Sequence, residues 1–403
     1  MAKTPLAWAN LTHDRVRFAL FVLGVVFAVV LMFIQLGFRG ALLDSQSLFH
    51  EKLNADLVLV SPNRQALAMP ETISRRRLEQ ASAVAGVAEV TPVFVSNGLG
   101  VLRHTASDTA ERKPSRGIRV IGIDPDSHAL TMPELQPGAR EAELLKIPGN
   151  ALFDRNSVGF PNDTEFGPYV PGTTTELSGS RITFVGTVPF GPDFTSDGAM
   201  VVSSETFADL LRRPYAFGAP LADVDLGLVR LAPGADRAAV QAELQATLAR
   251  GTETPDVDVM TVQELMRREQ GFWLNNTPIG FAFGFGMFMG FAVGLVICYQ
   301  ILSGDVADHL GEYATMKALG YSNFHLAKVV IQESLILAVA GYVAGLIVSC
   351  GLYLVLAQVS GLPMNLTVER CLWLFLATVL MCVVSGLIAM VRLVRTDPAD
   401  VFQ

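Results

Sequence analysis

The residues best suited to chemistry lie in one charged stretch between two apolar runs. Asp305, His309 and Glu312 are spaced four and three residues apart, so a helix would place them on one face. Imidazole and carboxylate groups at this spacing could hold a metal ion. A solvated acidic helix face has the same pattern, and it is the interpretation we favour. The surrounding segment, HLGEYATMKALGYSNFHLAKVVIQES, is amphipathic and interrupted by glycine.

Sequence motifs of common catalytic sites are absent. The chain contains no Gly-x-x-x-x-Gly-Lys-[Ser/Thr] phosphate-binding loop, no His-Glu-x-x-His zinc motif and no Gly-x-Ser-x-Gly nucleophile elbow. His50, His104 and His128 are isolated and none pairs with a cysteine. We therefore predict a non-catalytic chain that does not bind ATP through a phosphate-binding loop.

Four long apolar runs must position these residues. The chain has 403 residues, a mean hydropathy of +0.40 and 17% charged residues, whereas soluble domains carry about 25%. A helix crosses the roughly 30 Å of bilayer hydrocarbon with about 20 apolar residues. No small-residue cleavage site follows the first run, which should therefore remain as an anchor. The sequence predicts four transmembrane helices, at 18–38, 278–302, 329–357 and 371–391.

Lysine and arginine near the span ends predict the orientation, because cytoplasmic loops carry an excess of both. They precede the first span, follow the last, and lie between the second and third. Both termini should therefore be cytoplasmic in a multi-pass protein of the bacterial inner (plasma) membrane. The predicted cytoplasmic segments are an amphipathic helix at 1–17, the segment 303–328 and a tail at 392–403, whereas 39–277 and 358–370 lie outside.

The external segment 39–277 shows alternating strand and helix patterns. We predict a large α+β extracytoplasmic domain, with two β-α-β-like halves around an inserted Pro- and Gly-rich part, and a C-terminal stalk helix. All four cysteines fall in or beside the spans, so this domain needs its own apolar core. The net charge of −8 resides entirely in it, which argues against binding to nucleic acid.

Two faces of the second span have different compositions. Gly286, Gly290 and Gly294 repeat every four residues, and small residues let helices approach closely in a bilayer. A second face carries phenylalanines at positions 281, 285 and 288, and contact with lipid is the simplest role for them. An adaptable lining for an acyl chain, with Met287 and Met289, is the alternative. The candidate substrate contacts are Phe281, Phe285 and Phe288.

The segment 303–328 reads as a short helix presented between two spans, with Gly320 where a C-cap belongs. Such a helix can fit the groove of a separate protein. The alternative is an amphipathic helix lying on the membrane surface. The residues expected to form the contact are Asp305, His309, Glu312, Tyr313, Met316, Lys317, Leu319 and Gly320.

A family resemblance runs through nearly the whole chain. The stretch CYQILSGDVADHLGEYATMKALGYS resembles the cytoplasmic segment of ABC transporter permeases of the MacB/FtsX type. Several further stretches look closest to the DevC branch, known for heterocyst glycolipid export. They are PLAWANLTHDRVRF, FIQLGFRGALLDS, ADLVLVSPN, RGIRVIGIDP, VDLGLVRLAPGAD, NNTPIGFAFGFGMFMGFAVG and RTDPADVF.

The resemblance implies a homodimeric permease with porter and sabre-like parts in its external domain. It implies a separate ABC ATPase subunit that carries the ATP and magnesium, so the chain itself needs no cofactor, and it assigns the short cytoplasmic helix to that ATPase. It also implies a membrane-fusion protein and a TolC-like outer-membrane duct in a tripartite efflux system. The family is thought to work by mechanotransmission, relaying ATPase motion to the external domain.

Three functions remain open at this point. The first is export of a hydrophobic or amphiphilic substrate such as a glycolipid, another lipid or a drug-like molecule. The second is an FtsX-like transducer that controls an extracytoplasmic hydrolase without transport, which the large external domain disfavours. The third is a membrane-anchored enzyme or sensor, disfavoured by the missing catalytic motifs and by the lack of a cytoplasmic signalling domain.

Overall fold

Long helices and one extended sheet make up most of the part of the chain that the structure describes. The computed structural model describes residues 15–103, 115–160, 169–210, 221–250 and 254–395. The predicted cytoplasmic helix 1–17 and tail 392–403 fall mostly outside these residues. The α-helices are α1 (Arg15–Ser47), α2 (Arg75–Ser82), α3 (Arg140–Leu145), α4 (Ser204–Leu210), α5 (Arg237–Leu248), α6 (Val262–Asn275), α7 (Pro278–Asp308), α8 (Leu310–Ala318), α9 (Asn323–Ser360) and α10 (Val368–Arg395).

The strands lie between α1 and α6. They are β1 (Leu57–Val60), β2 (Ile73–Ser74), β3 (Val87–Arg103), β4 (Ser115–Ile123), β5 (Asn150–Asp154), β6 (Thr174–Leu177), β7 (Ser180–Val188), β8 (Ala199–Ser203), β9 (Asp223–Val224), β10 (Leu226–Leu231) and β11 (Asp258–Met260). Short 3-10 turns occupy His50–Lys52 and Pro133–Leu135.

Among the described residues, four helices are long and apolar enough to cross a membrane, as predicted: α1, α7, α9 and α10. Each continues beyond its apolar run. The first extends past the predicted end at residue 38 to Ser47, and the third begins at Asn323, inside the predicted segment 303–328. Helical geometry persists into polar sequence because its hydrogen bonds are internal to the helix. Hydropathy therefore locates a span but not its helical ends.

The chain divides into two compact units. The helical unit comprises 1–41, 278–359 and 364–403, and the α/β domain comprises 42–277 together with 360–363. The boundary between them falls inside α1, which is helical on both sides of it.

One nine-stranded sheet organises the α/β domain, in the order β11-β1-β10-β3-β4-β8-β5-β7-β6. Its first four strands, with α2 between β1 and β3 and α5 between β10 and β11, have the order of a split β-α-β fold. The strands β4 to β8 are inserted between β3 and β10. The small sheet of β2 and β9 lies apart.

Both faces of the sheet are buried. Leu57 and Leu59 of β1 join one apolar cluster, and the alternate residues Val58 and Val60 join another. Successive side chains of a strand point to opposite faces, so each face carries its own core. Leu265 of α6 belongs to the second cluster and is 4% exposed. The helix predicted as a stalk therefore packs on the sheet through its apolar side.

The same helix carries a buried carboxyl group, Glu269. Its Oε2 accepts a 2.7 Å hydrogen bond from the backbone N–H of Leu67, and its Oε1 accepts one of 3.0 Å from Trp273 Nε1. His50 Nε2 lies 3.5 Å from Oε2, and its Nδ1 donates to the backbone carbonyl of Gln46 at 3.1 Å. Burial raises the pKa of Glu269 to about 7 despite these hydrogen bonds.

This carboxyl should make the stability of the α/β domain depend on pH. The folded state holds a proton between pH 4.5 and about 7 that the unfolded chain releases, so stability falls as pH rises through this window. Over this window, Glu269 alone should lower the free energy of unfolding by roughly 3 kcal/mol. Burial lowers the pKa of the neighbouring His50 to about 4, which opposes this fall below pH 6.5 because the unfolded chain binds that proton. We therefore expect the melting temperature of a fragment spanning 42–277 to change little between pH 5 and 6.5 and to fall between pH 6.5 and 8.

The variant Glu269→Gln should remove most of this slope, whatever it does to the absolute melting temperature. The matched control Glu79→Gln, at an exposed position, should keep the slope of the unmodified domain. A Glu269→Gln domain with an unchanged slope would show that another group is responsible.

Candidate functional site

Two of the stripe glycines of α7 face the first helix. A β-carbon on Gly290 would lie 3.2 Å from Met32 Cγ and 3.6 Å from the Met32 backbone nitrogen. A β-carbon on Gly286 would lie 2.5 Å from the Cδ of Gln35. The missing side chains thus allow α7 and α1 to approach within one chain. A role of the stripe in contact with a second copy stays a prediction.

The third glycine of the stripe lies between two helices. A β-carbon on Gly294 would meet the thioether of Met381 in α10 and lie 2.7 Å from Ala28 Cβ in α1. One turn further along, the Sγ atoms of Cys298 and Cys382 are 3.7 Å apart as free thiols. Three of the long helices therefore converge along this side of α7.

A second pair of glycines escaped the sequence analysis. A β-carbon on Gly341 of α9 would lie 2.5 Å from Val25 Cβ, and one on Gly345 would lie 2.6 Å from Val29 Cγ1. Both pairs have a spacing of four, so two valine side chains of α1 fit the smooth face of α9. The available signal was the small-x-x-x-small pattern in AGYVAG, which has the same spacing as the α7 stripe.

The three phenylalanines predicted to share one face of α7 have different surroundings in the structure. Phe288 lines a cavity of about 740 Å³ between α1, α7 and α10. Phe281 and Phe285 do not line it, and their rings stack on each other with centroids 5.9 Å apart. Of the methionines, Met287 lines the cavity and Met289 does not. Helical spacing placed these side chains on one face but could not show how far the cavity extends along it.

The short helix between the second and third apolar helices is α8, at Leu310–Ala318. Its C-terminal turn is closed by Gly320, whose φ is +90°. The backbone N–H of Tyr321 donates to the carbonyl of Met316 at 3.1 Å, and that of Gly320 donates to Lys317 at 3.0 Å. This is the glycine C-cap that the sequence indicates.

Met316 turns toward the protein. Its side chain packs against an apolar cluster formed by Val306, Val329, Val330 and Met390. Met316 is half-buried there, and its predicted contact with a partner stays a prediction. The helical spacing of Tyr313, Met316 and Leu319 could not distinguish an inward face from an outward one. The side chain of Tyr313 lies outside the described part of the structure.

The acidic residues at the end of α7 also serve contacts within the chain. Asp305 is 3% exposed, and its Oδ1 lies 4.0 Å from Arg17 Nη2. Arg17 forms a close ion pair with Asp308 as well. His309 Nδ1 lies 2.9 Å from the backbone carbonyl of Asp305. These charges join α1 to α7, and a contact of Asp305 with a partner stays a prediction.

The three residues of the possible metal site differ in exposure. Across the described ranges, no group of three or more His, Cys, Asp or Glu side chains is arranged to hold a metal ion. Glu312 is exposed on α8, whereas Asp305 is buried.

Large apolar side chains lie exposed just after α8. Leu319 is 74% exposed, Phe324 is 82% exposed and Tyr321 is 48% exposed. We call these three residues the exposed apolar set. Glu312 is exposed and Lys317 is half-buried on the preceding helix. Sequence analysis included Leu319 but missed Tyr321 and Phe324, although aromatic residues directly after a glycine cap were a visible signal.

Comparison with known proteins adds family evidence to this geometry. The model of the FtsX-like permease C-terminal domain matches residues 284–398. The model of the MacB-like periplasmic core domain matches residues 18–247, which is more than half of the chain. A search of curated proteins gave no significant match.

Two solved structures resemble the chain. The periplasmic region of MacB from Actinobacillus actinomycetemcomitans is 12% identical with a TM-score of 0.36, over 54% of this chain and 92% of that one. The extracellular domain of the noncanonic ABC-type transporter YknZ from Gram-positive bacteria is 17% identical with a TM-score of 0.33, over 52% and 100% respectively.

The two family matches together cover the first apolar helix, most of the α/β domain and the last three apolar helices. The chain belongs to the MacB/FtsX-type ABC permease family, whose members work with an ABC ATPase, typically as dimers.

Proposed function

We propose that this chain is the permease subunit of an ATP-driven exporter, which relays the motion of a separate ABC ATPase to its α/β domain. Both termini and α8 lie in the cytoplasm, and the α/β domain lies on the outer side of the bacterial inner membrane. The chain itself is non-catalytic, and ATP and magnesium bind the partner.

The observation that carries this proposal is the exposed apolar set beside α8. Leu319 and Phe324 expose most of their side-chain surface at the junction of two spanning helices. Large apolar anchors surrounded by polar residues are characteristic of the energetic centres of protein interfaces. Glu312 and Lys317 supply polar residues on the adjoining helix. We assign this surface to the ATPase.

To relay motion, the chain needs a stiff connection that leads from the ATPase contact toward the α/β domain. The ion pair of Arg17 with Asp308 joins the start of α1 to the end of α7, directly before α8. From Arg17, α1 continues as one helix to Ser47. The Oγ of Ser47 accepts a 2.9 Å hydrogen bond from Gln270 Nε2 of α6, inside the α/β domain. Movement of α8 can therefore act on this helix.

The cargo proposed is hydrophobic or amphiphilic, such as a glycolipid, another lipid or a drug-like molecule. Within the family we place the chain nearest the DevC branch. The remaining proposed partners are a second permease copy, a membrane-fusion protein and a TolC-like outer-membrane duct.

The test is co-expression with the ABC ATPase encoded beside this chain. The permease purified alone should hydrolyse no ATP, and the two subunits together should form a complex whose hydrolysis depends on both. Vesicles containing the complex should then move a fluorescent amphiphile in an ATP-dependent manner.

ATP hydrolysis by the permease alone would contradict the assignment of catalysis to the partner. A complex that hydrolyses ATP and activates a peptidoglycan hydrolase, without moving any amphiphile, would favour the FtsX-like transducer instead.

A further inference from the structure

A groove on the side of the helical unit is built for an elongated apolar group. It has a volume of about 740 Å³ and opens between α1, α7 and α10. Sites of 300–1,000 Å³ are typical of bound small molecules. Two methionines and three aromatic rings contribute to the lining, and methionine side chains adapt to flexible apolar groups. The apolar lining includes Met32, Leu36, Met287, Phe288, Phe291 and Trp373.

One end of the groove is charged. Arg39 lines it one turn beyond Leu36 on α1, and Glu369 and Arg370 line it from the start of α10. The Arg370 guanidinium lies over the backbone next to Arg39, because a β-carbon on Gly40 would be 2.5 Å from Arg370 Cζ. Two guanidinium groups against one carboxylate leave this end positive.

Along one face of α1, the apolar lining of the groove is followed by its charged end. Met32, Leu36 and Arg39 are spaced four and three residues apart, so about 10 Å of apolar lining separates the deepest of them from the charge. Arg39 lies at the end of the first apolar run, where an arginine side chain reaches the membrane surface. An amphiphile in a bilayer has the same arrangement of chain and headgroup.

We infer that this groove binds an anionic phospholipid of the bilayer, with an acyl chain along Met287 and Phe288 and the phosphate at Arg39 and Arg370. Guanidinium groups bind phosphate through paired, charge-assisted hydrogen bonds. A second copy of the chain suits the groove less well, since a two-fold axis along the membrane normal would bring both positive ends to the same depth. The idea that this lipid also serves as a model for the cargo rests on the proposed function. The binding of the lipid to the groove does not rest on it.

The experiment uses the full chain in detergent and native mass spectrometry. Phosphatidylglycerol and phosphatidylcholine with identical acyl chains are the probes. We expect one phosphatidylglycerol per chain to remain bound, at least tenfold more tightly than phosphatidylcholine. Arg39→Gln should remove this preference, and Arg39→Lys should retain part of it. Glycerol phosphate at millimolar concentration should not compete, because it has no acyl chain.

A second measurement locates the lipid. Phe288→Ala should weaken phosphatidylglycerol binding several-fold, whereas Phe27→Ala, which removes an exposed ring on α1 outside the groove, should not. A photoreactive phenylalanine analogue at position 288 should cross-link to lipid. Cross-linking to a second chain would overturn the inference and make the groove an interface between copies.

Equal affinity for both lipids, or an unchanged preference in Arg39→Gln, would also overturn it. Co-purification of the ATPase is measured on the same preparations as an independent readout. Wild-type protein that binds the lipid but fails to retain the ATPase would count against the proposed function alone.

Discussion

Alanine at both Leu319 and Phe324 is expected to abolish co-purification of the ATPase and export, while the permease still folds and inserts. The two side chains are 74% and 82% exposed, so their truncation removes no internal packing that the structure shows. Truncating an interface anchor costs about 2 kcal/mol or more, which corresponds to roughly a 30-fold loss of affinity per residue. Co-purification with the ATPase and vesicle transport measure the effect.

Two further variants separate docking from folding. Met316→Ala should lower the thermal stability of the permease, because this side chain packs against the cluster around Val330. Glu312→Ala should have a mild, salt-dependent effect, as expected of an exposed charge at an interface rim. If the double variant of Leu319 and Phe324 retains both the ATPase and export, the exposed apolar set is not the surface that binds the ATPase.

Replacement of Gly341 by alanine is expected to disrupt the helical unit. The new β-carbon would lie 2.5 Å from Val25 Cβ, closer than non-bonded carbon atoms approach, so α1 and α9 must separate. Overpacking of this kind typically costs about 1–3 kcal/mol. We expect a strongly reduced yield of monodisperse protein and a lower melting temperature in detergent.

The same helix supplies the matched control. A β-carbon on Gly351 would have no described atom within 4 Å. Gly351→Ala should therefore be neutral or slightly stabilising, since alanine is the better helix former by about 1 kcal/mol. Equal behaviour of the two variants would show that α1 and α9 are not in close contact at Gly341.

The ends of helices depend on residues that are close together in the sequence. Thr261 is of a residue type that favours helix N-caps, and it forms a capping box with Glu264, in which each side chain bonds the backbone of the other. Gly320 was expected to end the short helix, and it does so with positive φ. In both cases the residues that make the bond lie within a few positions of one another.

Long-range relations could not be predicted in this way. The order of the sheet depends on pairs such as Val58 with Leu228 and Val58 with Met260, which lie far apart in sequence. The inward direction of Met316 depends on Val329 and Met390 across the bundle. Arg39 and Arg370 meet at one groove although two spans separate them in sequence. Only the packed chain shows these relations.

The continuity of α1 determines how movement travels along it. A helix of 33 residues is about 50 Å long, and no break interrupts it between Arg15 and Ser47. A tilt of about 10° at one end therefore displaces the other end by roughly 9 Å, and a rotation about the axis passes along it undiminished. A hinge within α1 would absorb such motion, whereas an unbroken helix passes a small angular change at one of its ends to the other as a large displacement.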